Sequence, residues 1–266
     1  MSKALKLTYI LIVLALLVLP LVVVAAVSLN GPQTLRFPPV EPSLHWYARL
    51  FTDSEWLVPL RHSLTIALCA AALAVAIALP LALYVWERRG VAVQLLTGMG
   101  LAPFALPPVI SALGFMIFWM TVGGYGQIWA TIISHGIFLV TLPLVTISLG
   151  LRGIDRSLIE SARVMGANRW AVMRTVILPL LLPYIVSGYA FAFVLSLNEY
   201  IIAYMVAGFT VETLPVKIFN ALRYGYTPIL AVVSVLFVVM SALIFGLIGR
   251  FGNLPRLMGA ERSQRD

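Results

Sequence analysis

Apolar runs of about 20 residues recur along this chain, separated by shorter segments that hold nearly all of its charge. A run of that length crosses the roughly 30 Å hydrocarbon core as one helix, which satisfies its own backbone where no water can. Six runs stand out, at about Leu7–Leu29, Ser63–Trp86, Leu101–Val122, Ile128–Leu149, Tyr184–Ala207 and Ile229–Ile248. With 61% hydrophobic and 11% charged residues and a mean hydropathy of +1.01, no soluble domain of 266 residues could hide the apolar surface. The chain is expected to be an all-α, polytopic membrane protein.

The first run follows Lys3 and Lys6 and contains the small residues Ala25 and Ala26, so a cleaved signal peptide competes with a retained helix. A signal core is roughly 7–15 residues and this run is longer, which favours a helix retained in the membrane. Residues 30–62 are polar and Pro-rich, with Trp46, Trp56, His45 and His62, and read as an extracytoplasmic loop with interfacial aromatics. Pro103, Pro107 and Pro108 make the start of the third run irregular, which is tolerated at depth only against protein or a water-filled cavity. Charge bias orients the whole. With both termini inside, Lys3, Lys6, Arg88, Arg89, Arg152, Arg156, Arg163, Arg169, Arg174, Arg250, Arg256, Arg262 and Arg265 face the cytoplasm, against Arg36, Arg49, Arg61, Lys217 and Arg223 outside. This predicts six helices with cytoplasmic N- and C-termini: residues 1–62 as first helix and outer loop, 63–250 as the core domain, and 251–266 as a cytoplasmic tail. It also explains the +8 charge without nucleic acid, because the basic residues sit at the ends of apolar runs.

The polar interruption between the fourth and fifth runs, residues 151–183, carries seven of the charged residues. Within it, Ser157-Leu158-Ile159-Glu160 has capping-box form, in which Ser157 accepts the Glu160 N–H and Glu160 reaches back to the Ser157 N–H. Gly166 suits a left-handed stop, Asn168 can cap a second short helix, and Pro179 and Pro183 are expected to bound that helix. On residues alone a structured loop remains an equal reading.

Catalytic chemistry is missing from the sequence. No G-x-x-x-x-G-K-[ST] phosphate loop is present, and His45, His62 and His135 show neither metal-ligand spacing nor an adjacent carboxylate pair. Ser134-His135 makes a weak nucleophile pair, since neighbours on a helix point apart. Cys69 excludes an intramolecular disulfide and reads as a small apolar residue. Glu199, beside Asn198, is the acid inside a span, placed about 15 residues and roughly 22 Å along the fifth helix. Either it attracts a cation on a translocation path or it contacts a neighbouring helix. Tyr200 and Tyr204, one turn apart, can offer cation–π surfaces or serve as interfacial anchors.

Glu160-Ser161-Ala162, then Gly166, then Val176-Ile177-Leu178-Pro179, resembles the E-A-A…G…I-x-L-P signature of ABC importer permeases, with Ser161 for the first alanine and Val176 for isoleucine. Over most of the chain the resemblance is closest to the polyamine (spermidine/putrescine) branch. Phe193 to Tyr200 is similar to its F-x-x-S-x-D-[DE] segment, with Asn198 replacing the acid. Thr213-Leu214-Pro215-Val216-Lys217-Ile218-Phe219, Leu222-Arg223-Tyr224-Gly225 and Thr227-Pro228 resemble its T-L-P-V…R-x-G-x-T-P loop, and Ser28-Leu29-Asn30 and Trp46-Tyr47 also fit.

The resemblance implies a type I importer permease fold and no enzymatic activity or cofactor on this chain. ATP and Mg²⁺ would be used by a cytoplasmic ABC ATPase dimer. Other implied partners are a second, similar permease subunit, an extracytoplasmic solute-binding protein and membrane lipid. Ser157, Glu160, Ser161, Ala162, Gly166, Leu178 and Pro179 would couple ATPase motion to the spans, and Asn198, Glu199, Tyr200 and Tyr204 would line the path. Branches that import ferric iron or sulfate keep the cargo open, and a gradient-driven secondary carrier is the rival from another class.

Overall fold

The computed structural model describes residues 3–224 and 227–251; Gly225 of the loop motif, the tail from residue 252 and its arginines 256, 262 and 265 lie outside them. Every element among the described residues is helical. In order these are α1 (Lys3–Val27), α2 (His45–Thr52), α3 (Ser54–Glu87), α4 (Val91–Ala105), α5 (Pro108–Val122), α6 (Ile128–Phe138) and α7 (Thr141–Arg152). After them come α8 (Arg156–Val164), α9 (Arg169–Val172), a π-helical turn (Met173–Ile177), α10 (Leu178–Asn198), α11 (Ile201–Ala207), α12 (Leu214–Tyr224) and α13 (Pro228–Phe251).

Four helical stretches are long and apolar enough to cross a membrane, at Lys3–Val27, Ser54–Glu87, Arg169–Asn198 and Pro228–Gly246. Two bent pairs raise the number to six if each is one span: α4 with α5, bent by 105°, and α6 with α7, bent by 41°. The first bend has a sequence cause. Pro107 is extended at φ −55, ψ 133, and Pro108 opens α5 at the first-turn position, where a missing N–H costs nothing. The expected irregular start of the third run is thus a full break, and the apolar stretch on its N-terminal side forms a helix of its own.

Other boundaries moved outward. Helix α3 begins nine residues before the expected Ser63, and α2 and α12 occupy parts of the segments read as loops. Both are amphipathic: α2 buries Trp46 and Leu50, and Leu214 and Val216 of α12 are fully buried.

The chain divides into two units, one formed by residues 1–60 and 217–242, the other by 61–216 and 243–266. In the first, α1 buries no side chain, as expected of a helix that faces lipid or another subunit. The turn after it is held by polar groups. Ser28 Oγ lies 2.7 Å from the Tyr47 hydroxyl, Asn30 Nδ2 donates to Val27 O and Arg36 O, and Asn30 Oδ1 accepts from Val40 N. The Ser28-Leu29-Asn30 and Trp46-Tyr47 fragments therefore belong to one local structure. Lys217 Nζ pairs with Glu55 at 2.9 Å and lies 5.1 Å from the Trp56 ring centre.

In the second unit, α7 packs along α10, and small residues set their approach. A Cβ on Gly188 would come within 2.6 Å of Pro143 Cα and 2.5 Å of Thr146 Oγ1; one on Gly150 would meet the Tyr184 ring at 2.7 Å. Close backbone approach through small residues is how helices associate in lipid, where exclusion from water gives no drive. Thr141 Oγ1 ties α7 to α4 by donating to Gly100 O at 2.8 Å, and Trp119 Nε1 ties α5 to α6 by donating to Ser134 Oγ at 2.7 Å. Ser134 is thereby a packing residue.

Overpacking of this kind costs about 1–3 kcal/mol. Gly188→Val should lower the thermal midpoint of the detergent-solubilised chain by several degrees, whereas the same change at Gly98, where a Cβ meets nothing within 4 Å, should not. Equal midpoints for the two variants would contradict the close approach of α7 and α10.

Candidate functional site

The polar interruption is an ordered corner. Helix α8 starts after Asp155, whose Oδ1 accepts the Ser157 N–H at 2.9 Å while its backbone is extended at φ −70, ψ 123. Asp155 is therefore the N-cap, in place of the expected Ser157–Glu160 box; Glu160 is exposed and does not reach back to Ser157. The reason is local: an aspartate two residues earlier offers a charged acceptor, which competes better for the free helix N–H groups than a serine hydroxyl. Bonds from the Ser157 N–H and side chain hold the Asp155 carboxyl below the usual carboxylate range.

The other end matches expectation closely. Gly166 is left-handed at φ +89, its N–H donates to Arg163 O at 2.9 Å, and the Ala167 N–H donates to Ala162 O at 3.0 Å. This paired arrangement is the Schellman stop. Asn168 Oδ1 then accepts the Ala171 N–H at 2.8 Å and starts α9 as expected.

Beyond α9 the expectation fails in an informative way. Pro179 and Pro183 do not end a second short helix; α9, the π turn and α10 run on as one 30-residue helix, Arg169–Asn198. A proline lacks the N–H that would close the turn below it and crowds the carbonyl there. The widened π turn immediately before Leu178 relieves that crowding without breaking the rod. Ile159 and Ala162 of α8, Val172 of α9, Ile177 and Leu181 share one buried cluster with Ala78 and Ala82 of α3 and Leu144, Ile147 and Leu151 of α7. On the outside, Leu158, Val164, Met165 and Trp170 are exposed, Val164 by 88% and Met165 by 81%. Ser161 is exposed beside them.

The second group of candidates lies at the far end of α10. Glu199 is not in the middle of a helix. The rod stops at Asn198, Glu199 is extended at φ −75, ψ 122, and α11 begins at Ile201. Its two carboxylate oxygens accept the N–H groups of Ile201, Ile202 and Ala203 at 2.9–3.1 Å. His135 of α6, only 1% exposed, brings Nε2 to 3.2 Å from Glu199 Oε2, and its Nδ1 lies 2.8 Å from Ser196 Oγ. Glu199 is thus both a helix cap and a neighbour-helix contact. Asn198 Nδ2 donates back to Val194 O at 2.8 Å. The Tyr200 and Tyr204 rings stack, with centroids 5.5 Å apart.

A cavity of about 460 Å³ opens here, with Phe104, Leu106, Phe138 and Leu139 as apolar wall and Asn198, Glu199 and Tyr200 as polar edge. Tyr204 is not among its lining residues. The sequence reading passed over His135 because no carboxylate is near it in sequence. The usable signal was that one histidine and one acid each fall inside apolar runs, and such residues pair. No group of three or more metal-ligating side chains occurs among the described residues.

The cap sets a pH test with a definite sign. A carboxyl held below its unfolded value adds stability that is present above that value, about 3.9, and is lost as pH falls through the folded one. Amide protection at Ser157 and Leu158 should therefore stay level from pH 7 to about 5 and fall below about 4. Asp155→Ala should remove both the protection and its acid dependence; unchanged protection in that variant would contradict the cap.

Comparisons with known proteins bear on the whole arrangement. The spermidine/putrescine transport system permease protein PotC of Haemophilus influenzae is 32% identical over 246 residues, covering 88% of this chain and 93% of that one. The putrescine transport system permease protein PotI of Escherichia coli is 33% identical over 235 residues, covering 84% and 80%. A solved bacterial ABC transporter for import of the acidic polysaccharide alginate superposes with a TM-score of 0.70 at 13% identity, over 95% of this chain and 99% of that one, which shows the fold alone. Residues 74–253 match the binding-protein-dependent transport system inner membrane component, and the chain belongs to that family.

Proposed function

We propose that this chain is the membrane-spanning permease subunit of an ATP-driven importer of polyamines such as spermidine and putrescine. The observation that carries the reading is the corner at Asp155–Ala167: a helix capped at both ends, seated on the core of the spans and bearing exposed Leu158, Val164 and Met165 outward. Such a helix can receive the motion of a partner and pass it on, because its stops and its packing leave little slack. Sequence similarity to polyamine permeases supports the cargo.

In this reading each bent pair counts as one span, giving six, with both termini and the α8 corner on the cytoplasmic side as the charge bias favours. An ATPase dimer that uses ATP and Mg²⁺ docks on the outer face of α8 around Ser161. A second permease of the same kind completes the path, and an extracytoplasmic binding protein delivers the solute. The cytoplasmic membrane is the location. Ser157 and Ala162 position α8, Glu160 borders the docking face, and Gly166 makes the sharp exit. Leu178 and Pro179 carry the stroke into α10. At the other end of that rod, Asn198, Glu199 and Tyr200 edge the cavity through which the cation passes, with the Tyr204 ring stacked behind Tyr200. Asn198 removes one charge from that edge, so Glu199 supplies the negative field.

Two measurements test this. Proteoliposomes holding the chain with its partner permease, ATPase and binding protein should accumulate labelled spermidine or putrescine only with ATP and Mg²⁺; gradient-driven uptake by the chain alone would instead establish a secondary carrier. Within that assay, Glu199→Gln should lower polyamine uptake by about tenfold, the equivalent of about 1.4 kcal/mol. Unchanged rate and solute preference would leave Glu199 a structural cap only.

Gly166→Pro should abolish uptake while the chain still inserts, because φ +89 is closed to proline. Gly166→Ala, which meets no neighbour within 4 Å, should cost only the left-handed penalty of about 1–2 kcal/mol and keep some transport. Full transport in the proline variant would remove the coupling role.

A further inference from the structure

A second cavity, of about 360 Å³, opens between the end of α3 and the α8–α9 corner, and of its rim only Glu160 enters the transport reading. Its floor is apolar, made by Trp86, Ile159, Val172 and Ile177. Its rim carries Arg88, Arg156, Arg163 and Arg169 against Glu87 and Glu160, four positive groups to two negative. Arg169 is committed, because its Nη2 pairs with Glu87 Oε2. Among the described residues, Arg88, Arg156 and Arg163 form no ion pair. Three guanidinium groups therefore converge on a space with an apolar base and no internal counter-charge beyond Glu160.

The spacing separates this surface from the docking face. Arg156, Ile159, Glu160 and Arg163 recur at i, i+3, i+4 and i+7, so they form one stripe of α8; Val164 borders it one turn past Glu160, while Leu158 and Met165 project from the opposite side. The level in the membrane follows from α3, which ends at Glu87 just after Trp86, an aromatic of the kind that sits among lipid head groups.

Guanidinium forks match phosphate oxygens two at a time, and basic pockets between helices at this level take anionic head groups. The place of the cavity at the membrane surface, level with Trp86, favours a lipid phosphate over a free ion.

We propose that this cavity is a binding site for the phosphate head group of an anionic phospholipid, which bridges the end of α3 to the α8 corner. The lipid then acts as a tie between a span and the helix that receives the ATPase stroke. The proposal rests on the cytoplasmic placement of the corner, and its test does not depend on transport.

The test uses the purified full chain, delipidated and titrated with phosphatidylglycerol or phosphatidylcholine, with bound lipid read by native mass spectrometry. The chain should retain phosphatidylglycerol in preference. The double variant Arg88→Gln with Arg156→Gln should bind it about tenfold more weakly, with phosphatidylcholine unaffected. A double variant at the exposed arginines outside the cavity, Arg152→Gln with Arg174→Gln, should bind as the parent does. Equal retention by the cavity variant, while it remains monodisperse, would overturn the site.

Should that variant not fold, hydrogen exchange of the parent chain in nanodiscs decides. Protection of Arg156–Val164 should rise with phosphatidylglycerol and not with phosphatidylcholine, and no difference would overturn the proposal. Inorganic phosphate at millimolar concentration giving the same protection would reassign the cavity as a simple anion site. Displacement of the lipid when the ATPase assembles would reassign it to acidic side chains of that partner. ATP-driven uptake by the parent chain assembled with its partners keeps the two readings apart, since a parent that transports but shows no lipid preference overturns the site alone.

Discussion

The burial of Ile159 and Ala162 in the core of the spans is the contact on which the functional reading depends. A polar corner of about 30 residues has few ways to hold a fixed position beside a bilayer, and most loops of that kind drift. Here two apolar side chains of a nine-residue helix enter the same cluster as Val172, Ile177 and Leu181 of the following rod and Leu144, Ile147 and Leu151 of the preceding helix, α7. Burying an isoleucine is worth about 1.5–3 kcal/mol, enough to keep so short a helix seated. Because α9, the π turn and α10 form one continuous helix, the proposed coupling route from α8 to Asn198 runs along a single element.

A second constraint acts at every break. In hydrocarbon a freed backbone group has no water to turn to, so a helix can stop only where something replaces its lost bonds. Glu199 does this for α11 with its carboxylate, and His135 stands against the same group. Using a charged group as the cap places a carboxylate on a cavity wall inside the protein, so the proposed transport role would fall on a residue that already has a structural one. The prolines at 107 and 108 solve the same problem differently, by having one fewer donor to satisfy.

Much of this was legible in the chain. Run length and hydropathy gave the helical class, and Gly166 and Asn168 were read correctly because their conformations are set within four residues. What failed did so for physical reasons. Ser157 and Glu160 matched a capping pattern, but Asp155 was the stronger acceptor two residues earlier. Pro179 looked like a boundary because a π turn, which relieves it, leaves no composition signature. The break at Glu199 was hidden inside an apolar run, since Tyr200 and Ile201 continue the hydropathy while the backbone turns. The pairing of Glu199 with His135 joins residues 64 positions apart, and no local rule reaches that far.

The central claim is that α8 and α10 move as one body when the partner ATPase closes. Spin labels at Val164 and Leu182, both exposed, measure this directly by their separation in the assembled importer with and without trapped ATP. The account predicts one unchanged distance in both states, while the distance between Val164 labels on the two permeases shifts. A change in the Val164–Leu182 distance on ATP trapping would contradict it, because α8 would then be swinging on a hinge that the shared core forbids.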